Sequence, residues 1–327
     1  LDTIPNVGRA VFEALLRFVR DSGLINEFVP DCAGNGCLDP ETSFILSVPT
    51  HLSLPFVTVG SIRPSAALTV ANTGGKAGTQ ALIVTIDDDF TVEGSLSPLA
   101  AHETRMLTVS YQGSTTSPRI AEGLLHLTAE GRLFAIPVIA VVGDAALPAT
   151  DWESRDGGLV ATMPLPSAPF PHSSAAWTDR SVMIAIPSGL DGAAPLNLVT
   201  HLHGHRCVIG TTIPSVFLVE QFFLSGRNAI LVIPQGPVNA SSGNFGKLME
   251  AGGFARLVRD VLSVLYRDGL VTWPIVQRTA LTAHSGGYLA TAAILRHADL
   301  PVSTVHLFDA LYGDMVTYNS FATTGGL

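Results

Sequence analysis

Apolar positions change their period along this chain, and each change marks a different element type. Over residues 6–22, Val7, Val11, Leu15, Phe18 and Val19 recur at spacings of three and four, while Arg9, Arg17 and Arg20 lie elsewhere. That is the period of one helix face. Pro5 before it and Gly23 after it are start and stop signals. The basic face is modest, which favours a helix packed on a neighbour over one lying on lipid. From about 43 to 143 the pattern shortens to strands: Phe44–Val48, Ala66–Ala71, Ala81–Ile86, Met106–Tyr111, Gly123–Ala129 and Leu133–Val142. Turn clusters such as Asn72-Thr73-Gly74-Gly75 and Asp87-Asp88-Asp89 separate them. Short strands at regular spacing with Gly-rich turns predict an antiparallel sandwich.

Residues 144–180 lose all periodicity. Pro164, Pro166, Pro169 and Pro171 fall nearly every second residue, so the stretch reads as an extended linker, free or wrapped onto the next domain. From 181 onward, continuous apolar strands alternate with helices. Strands are predicted at Ser181–Pro187, Leu196–Leu202, Ala229–Pro234, Thr279–Ala283 and Val302–Phe308. Helices are predicted at 214–225 (Val216, Val219, Phe222 and Phe223 inward), 253–268 and 286–298. Such alternation predicts a mostly parallel sheet covered on both faces. The fold class is therefore multidomain: an N-terminal helix and loop (1–42), an all-β immunoglobulin-like sandwich (43–143), the linker (144–180) and an α/β domain (181–327).

Composition supports folded cores: 47% of the 327 residues are hydrophobic and only 14% charged. A formal charge of −9 argues against a nucleic-acid partner, since little would neutralise a phosphate backbone. No run approaches the ~18 apolar residues of a membrane span. There is no start methionine or leader pattern, and the chain is expected to be a piece of a longer protein. Among three cysteines, Cys32 and Cys37 sit close enough for a local disulfide, and two free thiols fit equally; Cys207 reads as a buried filler. Asp31, Asn35, Asp39 and Glu41 offer oxygens in a pattern that does not match an EF-hand loop, so a solvated turn is preferred to a calcium site. His51, His102 and His126 are scattered and suggest no site.

The chemistry concentrates in Thr282-Ala283-His284-Ser285-Gly286-Gly287, between a buried strand and an alanine-rich helix. A serine on such a turn projects from the C-terminal edge of a sheet, where ligands bind in α/β folds. The turn is crowded, so small residues must flank the serine two positions away, as Ala283 and Gly287 do. The Gly286 N–H and the helix N-terminus would then face a developing oxyanion.

Three motifs in order resemble the α/β-hydrolase fold over residues 181–313. Leu198-Val-Thr-His-Leu-His-Gly204 resembles the strand and His-Gly turn that supplies half of the oxyanion hole, which implies the backbone N–H of His205, or Arg206, as a donor. Ala283-His-Ser-Gly-Gly287 resembles the nucleophile elbow, and Val305-His-Leu-Phe-Asp309 places an aspartate where some members carry the triad acid. The resemblance implies Ser285 as nucleophile, Asp309 as acid, Gly286 and His205 around the oxyanion, and His203, Gly204 and His284 in support. Ile184-Ala-Ile-Pro187 and Pro195-Leu-Asn-Leu-Val199 extend it toward carboxylesterases and polyester depolymerases. Leu52-Ser-Leu-Pro-Phe-Val-Thr-Val-Gly60 followed by Leu68-Thr-Val-Ala-Asn-Thr-Gly74 resembles ASH/HYDIN-like sandwiches of surface or secreted proteins, which implies a spacer or binding role without catalytic residues.

One part of the resemblance fails. The fold's triad runs serine, acid, histidine, yet none of the 18 residues after Asp309 is histidine. The base is expected beyond residue 327; His205 as a substitute, or a non-catalytic binding or adhesion domain, are the alternatives. A zinc hydrolase using His201, His203 and His205 is a further rival, set back by the absence of a nearby carboxylate and by the Gly204 turn. The function expected is hydrolysis of a small or polymeric ester without cofactor or metal, outside the cytoplasm, with a cell-surface or protein partner open to the sandwich.

Overall fold

A computed structural model describes residues 41–173, 176–240 and 243–324. The 6–22 helix, Cys32, Cys37 and the oxygen-rich residues of 31–40 lie outside them. The chain divides into two compact units that part between Val141 and Val142, with 117–119 grouped with the second.

The first unit is a two-sheet sandwich. One sheet has the order β1 (Leu46–Ser47), β4 (Ser65–Asn72), β7 (Thr104–Tyr111), β6 (Phe90–Glu93). The other runs β2 (Leu52–Ser53), β9 (Arg132–Gly143), β8 (Arg119–Ala129), β5 (Ile83–Ile86), with β3 (Val57–Thr58) also on β9. Period-two burial fixes the register: Leu68, Val70, Leu107, Val109, Leu125 and Leu127 are fully buried while their neighbours face out. The Asn-Thr-Gly turn has a polar anchor. Asn72 is buried; its Oδ1 accepts from the Ile45 and Gly74 N–H groups at 3.2 and 3.1 Å, and its Nδ2 donates to the Lys76 and Ala100 carbonyls at 2.8 Å each. All its capacity is used, so Asn72→Leu strands four backbone groups.

The second unit is a seven-stranded sheet with the order β10 (Glu153–Arg155), β11 (Gly158–Pro164), β12 (Ser181–Pro187), β14 (Ile230–Pro234), β13 (Leu196–Leu202), β15 (Val276–His284), β16 (Val302–Phe308). From β14 to β16 all pairings are parallel; from β10 to β14 all are antiparallel. The sheet is thus mixed: β12 runs antiparallel to β14, and β10 and β11, inside the stretch read as a linker, extend that antiparallel side. Pro164 and Pro166 misled that reading: Pro164 closes β11, a position that proline tolerates. Trp152 Nε1 donates to Asp268 Oδ2 at 2.9 Å, Arg267 donates to the Pro148 carbonyl at 2.7 Å, and the Ser167 N–H donates to the buried Asp260 at 2.8 Å. These bonds fix residues 148–167 to one helix.

That helix, which carries Asp260 and Arg267, is one of five α-helices among the described residues. α1 (Ile209–Ser215) and α2 (Leu218–Leu224) replace the single helix predicted at 214–225. Pro214 ends the first, and Phe217 turns into the left-handed region at φ 55°. Val219 and Phe223 point inward as expected, but Val216 is exposed at the break. Both helices cover Val160, Met183, Ala185, Leu231 and Ile233, with the free Cys207 among them. α3 (Gly253–Arg267) buries Phe254, Leu257, Val258, Val261 and Leu265. Each such side chain contributes roughly 1.5–3 kcal/mol of transfer free energy. Gly269 ends it at φ 72° in a Schellman turn, where the Leu270 N–H reaches the Leu265 carbonyl at 2.9 Å and the Gly269 N–H reaches Tyr266 at 3.1 Å. α4 (Tyr288–His297) and α5 (Met315–Thr324) follow β15 and β16.

Successive connections leave β13 toward β14 and return past it to β15. With the usual right-handed crossovers such an order makes the C-terminal end of β13 a topological switch point, where a ligand crevice is expected.

Candidate functional site

That crevice is where the sequence motifs converge. β15 ends at His284, a three-residue 3-10 turn occupies Ser285–Gly287, and α4 begins at Tyr288. Ser285 sits on this junction at φ 49°, left-handed backbone that a non-glycine residue adopts only under constraint. It is half-buried between the buried Ala283 and Gly286. Gly286 lies in the first turn of this helical segment, where an N–H has no acceptor within the helix.

The constraint on Ser285 is visible in what presses against it. A Cβ on Gly287 would lie 2.2 Å from the Leu202 carbonyl oxygen, and one on Gly204 would lie 2.9 Å from both Ser285 Cβ and His284 Nδ1. The elbow and the His-Gly turn therefore meet backbone to backbone, which only glycine allows on both sides. From a third side the Gly243 N–H donates to the Gly286 carbonyl at 2.9 Å.

The turn after β13 is braced from below. His203 is buried; its Nδ1 is 2.9 Å from the Gly204 carbonyl, which only accepts, so Nδ1 carries the proton. Its Nε2 accepts from the Gly236 N–H at 2.7 Å. Both ring nitrogens are committed and the ring is neutral, consistent with burial holding its pKa below the usual imidazole range. Gln235 completes the brace. Its Oε1 accepts from the Ile209 N–H at 2.9 Å and its Nε2 donates to the Cys207 carbonyl at 3.0 Å. Sequence reading passed over Gln235, although a glutamine directly after the wholly buried Ile230–Pro234 was the signal.

His205 is exposed on the turn, and its backbone N–H makes no hydrogen bond to a described residue. The alternative donor, Arg206, is corrected: its N–H is spent on the Val238 carbonyl at 2.8 Å. His201 holds Thr282 Oγ1 through Nδ1 at 2.9 Å. Desolvation, with His203 and His284 nearby, pushes its pKa down to about 4. The three alternating histidines make no metal cluster; among the described residues no group of three or more metal-ligating side chains gathers. His203, with both nitrogens engaged, has none to offer.

Asp309 follows β16 as Ser285 follows β15. Phe308 pairs with His284 in the parallel register, so Asp309 and Ser285 stand at the same level of neighbouring strands, which lie ~4.8 Å apart. Asp309 is also left-handed, at φ 44°. Tyr312, three residues on, was not foreseen: it lies near both Asp309 and Ser285 and packs edge-on against Tyr288. The neighbouring Asp309 carboxylate, with desolvation, raises the phenol's pKa, and Ser285 acts in the opposite sense.

No family model matches the chain, and no curated protein matches it. Among solved structures it is similar to a feruloyl esterase module from Clostridium thermocellum complexed with sinapinate, at 14% identity over 53% of this chain and 64% of that one, with a TM-score of 0.33. It is similar to an ASH/PapD-like domain of human CEP192, at 9% identity over 37% of this chain and 99% of the other, TM-score 0.27. The E. coli chaperone DraB matches at 14% identity over 38% of this chain and 71% of its own, TM-score 0.25. At such scores the likenesses carry no argument about activity. The strand order and crossovers above define the class: an immunoglobulin-like sandwich followed by an α/β unit built on a mixed sheet.

Proposed function

We propose that the second unit is a serine hydrolase acting on esters. The observation that carries this reading is Ser285 at φ 49° on a strand-to-helix turn, packed against the Gly204 backbone. Ser285 Oγ attacks the ester carbonyl carbon, and the carbonyl oxygen takes up the charge. The N–H groups of Gly286 and His205 stabilise that oxyanion. The alcohol leaves with a proton, and water releases the acyl group from Ser285. Asp309 is assigned as the acid of the site, with Gly204 and His284 shaping the turn and His203 bracing it. The sandwich is assigned a spacer or protein-binding role, and the protein a place outside the cytoplasm. Among the described residues no helix is long and apolar enough to cross a membrane.

Proton removal from Ser285 needs a base, and no described histidine hydrogen-bonds its hydroxyl. That observation favours a second reading, a binding or adhesion protein whose α/β unit recognises an ester or carboxylate without turning it over. Turnover of short aryl esters by the full chain and by Ser285→Ala separates the two. Release of the alcohol that disappears in Ser285→Ala supports the hydrolase; equal rates in both proteins refute it.

A further inference from the structure

The turn after β16 carries apolar side chains on its outside. Ala310 is buried and gives the turn an inside. Phe308, Leu311 and Tyr312 are each between 50 and 59% exposed, and Met315 and Val316 carry the exposure into α5. A single exposed apolar side chain is ordinary, but five within residues 308–316 form a surface that marks binding. No other nine-residue stretch of the described residues exposes more than three large apolar side chains.

This turn is held against the elbow helix. Tyr312 packs edge-on on Tyr288, with centroids 6.0 Å apart and planes at 81°. A Cβ on Gly313 would lie 3.2 Å from the Tyr288 ring. The Tyr288 carbonyl accepts from the Tyr318 hydroxyl at 2.5 Å, and Arg296 of α4 pairs with Asp314 at 2.6 Å. Tyr288 opens α4 three residues after Ser285, and Phe308 pairs in register with His284, the residue before it. The apolar face therefore flanks the elbow from the β16 side.

Its chemistry selects an occupant. Residues 308–316 hold no cation; Asp314 is spent on Arg296, and Asp309 is the acid assigned to the site. A carboxylate or phosphate there would meet repulsion from Asp309. A neutral apolar group would exchange water for Phe308 and Leu311. Resting on the reading of Ser285 as nucleophile, we propose that Phe308, Leu311 and Tyr312 form the substrate rim of the site, and that its substrates are neutral esters carrying an extended apolar group. A second copy of the chain seated on this face would stand over the elbow and deny it a substrate.

Two ligand series on the full-length protein separate the rim from the chemistry. Methyl ketones are neutral carbonyl probes that cannot be hydrolysed, and their binding is read by ligand-observed NMR. Methyl hexyl ketone is expected to bind roughly tenfold or more tighter than acetone, and Leu311→Asn or Phe308→Asn to remove most of that difference. Leu224→Asn, at an exposed leucine of α2, is expected to retain it. Equal binding of the two ketones, or a difference that survives both rim substitutions, overturns the rim. In the second series, kcat/KM for an aryl octanoate is expected to exceed that for the acetate, with the ratio reduced in the same two variants. Preference for the acetate or for a succinate monoester overturns the proposal. Ketone discrimination without turnover of any ester keeps the rim and refutes the nucleophile reading instead. A dimer in sedimentation that Leu311→Asn dissociates, in place of ketone discrimination, assigns the face to a second copy and overturns the proposal.

Discussion

Ser285 and Asp309 each occupy the first position beyond a paired strand end, His284 opposite Phe308, and each turns left-handed, at φ 49° and 44°. Two strained residues side by side in one crevice mark where the fold holds side chains against their backbone preference. At Ser285 this predicts a specific order of stabilities. An L side chain in that region costs roughly 1–2 kcal/mol, which glycine avoids. Ser285→Gly is therefore expected to be more stable than Ser285→Ala by about 1 kcal/mol in urea unfolding. Equal stabilities would mean that the turn is unstrained.

Gly287 carries the closest approach in the site. Its substitution by alanine puts a methyl 2.2 Å from the Leu202 carbonyl oxygen, which cannot yield without moving β13. Gly287→Ala is expected to lose about 2 kcal/mol or more, within the range of overpacking. Gly210 in α1 is the control, since nothing lies within 4 Å of a Cβ there. Gly210→Ala should stabilise by up to about 1 kcal/mol through helix propensity. If both substitutions have the same sign in denaturant titrations, the packing account of the elbow is wrong.

His203 is a brace, and its removal should show as lost stability rather than altered metal content. His203→Phe preserves a ring against Phe245, which lies 5.2 Å away, but leaves the Gly204 carbonyl and Gly236 N–H without their partner. Two buried groups at ~1–3 kcal/mol each give an expected loss of about 2–6 kcal/mol. Zinc or a chelator should leave the thermal midpoint of the unsubstituted protein unchanged. A zinc-dependent rise would restore the metal reading.

His201 makes stability depend on pH. Its folded pKa is about 4, below the value for an unfolded chain. Between the two, the unfolded chain binds a proton that the folded protein does not, so stability falls as pH drops through ~6.5 toward 4 and is flat above that window. His203 shifts in the same direction, for desolvation first. Thermal midpoints measured from pH 7.5 to 4.5 should fall more steeply for the unsubstituted protein than for His201→Gln. Parallel curves would show that His201 does not carry the dependence.

Much of this architecture was legible in the sequence. The sandwich strands β4, β5, β7, β8 and β9, the five apolar strands from 181 onward and α3 all follow period and punctuation, because burial there is one-sided or complete. The elbow was legible for a different reason: Ala283, Gly286 and Gly287 are small where the turn is crowded. What escaped were features set by tertiary pairing. β10 and β11 are strands because β12 offers an edge, and no local signal outweighed the prolines nearby. The break at Val216–Phe217 depends on a left-handed phenylalanine, which composition does not announce. Tyr312 is a lone tyrosine in a turn, and only the register of β15 with β16 brings that turn close to the elbow. Gln235, by contrast, stood in plain view as a polar residue ending an apolar strand.

The central claim is that Ser285 is a poised nucleophile, and a fluorophosphonate probe tests it at the atom concerned. Attack by Oγ forms an oxygen–phosphorus bond and expels fluoride, leaving a mass adduct on one peptide. The expected result for the full-length protein is a single adduct mapped by mass spectrometry to Ser285, absent in Ser285→Ala and in heat-denatured protein. An adduct on another residue, equal labelling of Ser285→Ala, or no labelling at all would contradict it.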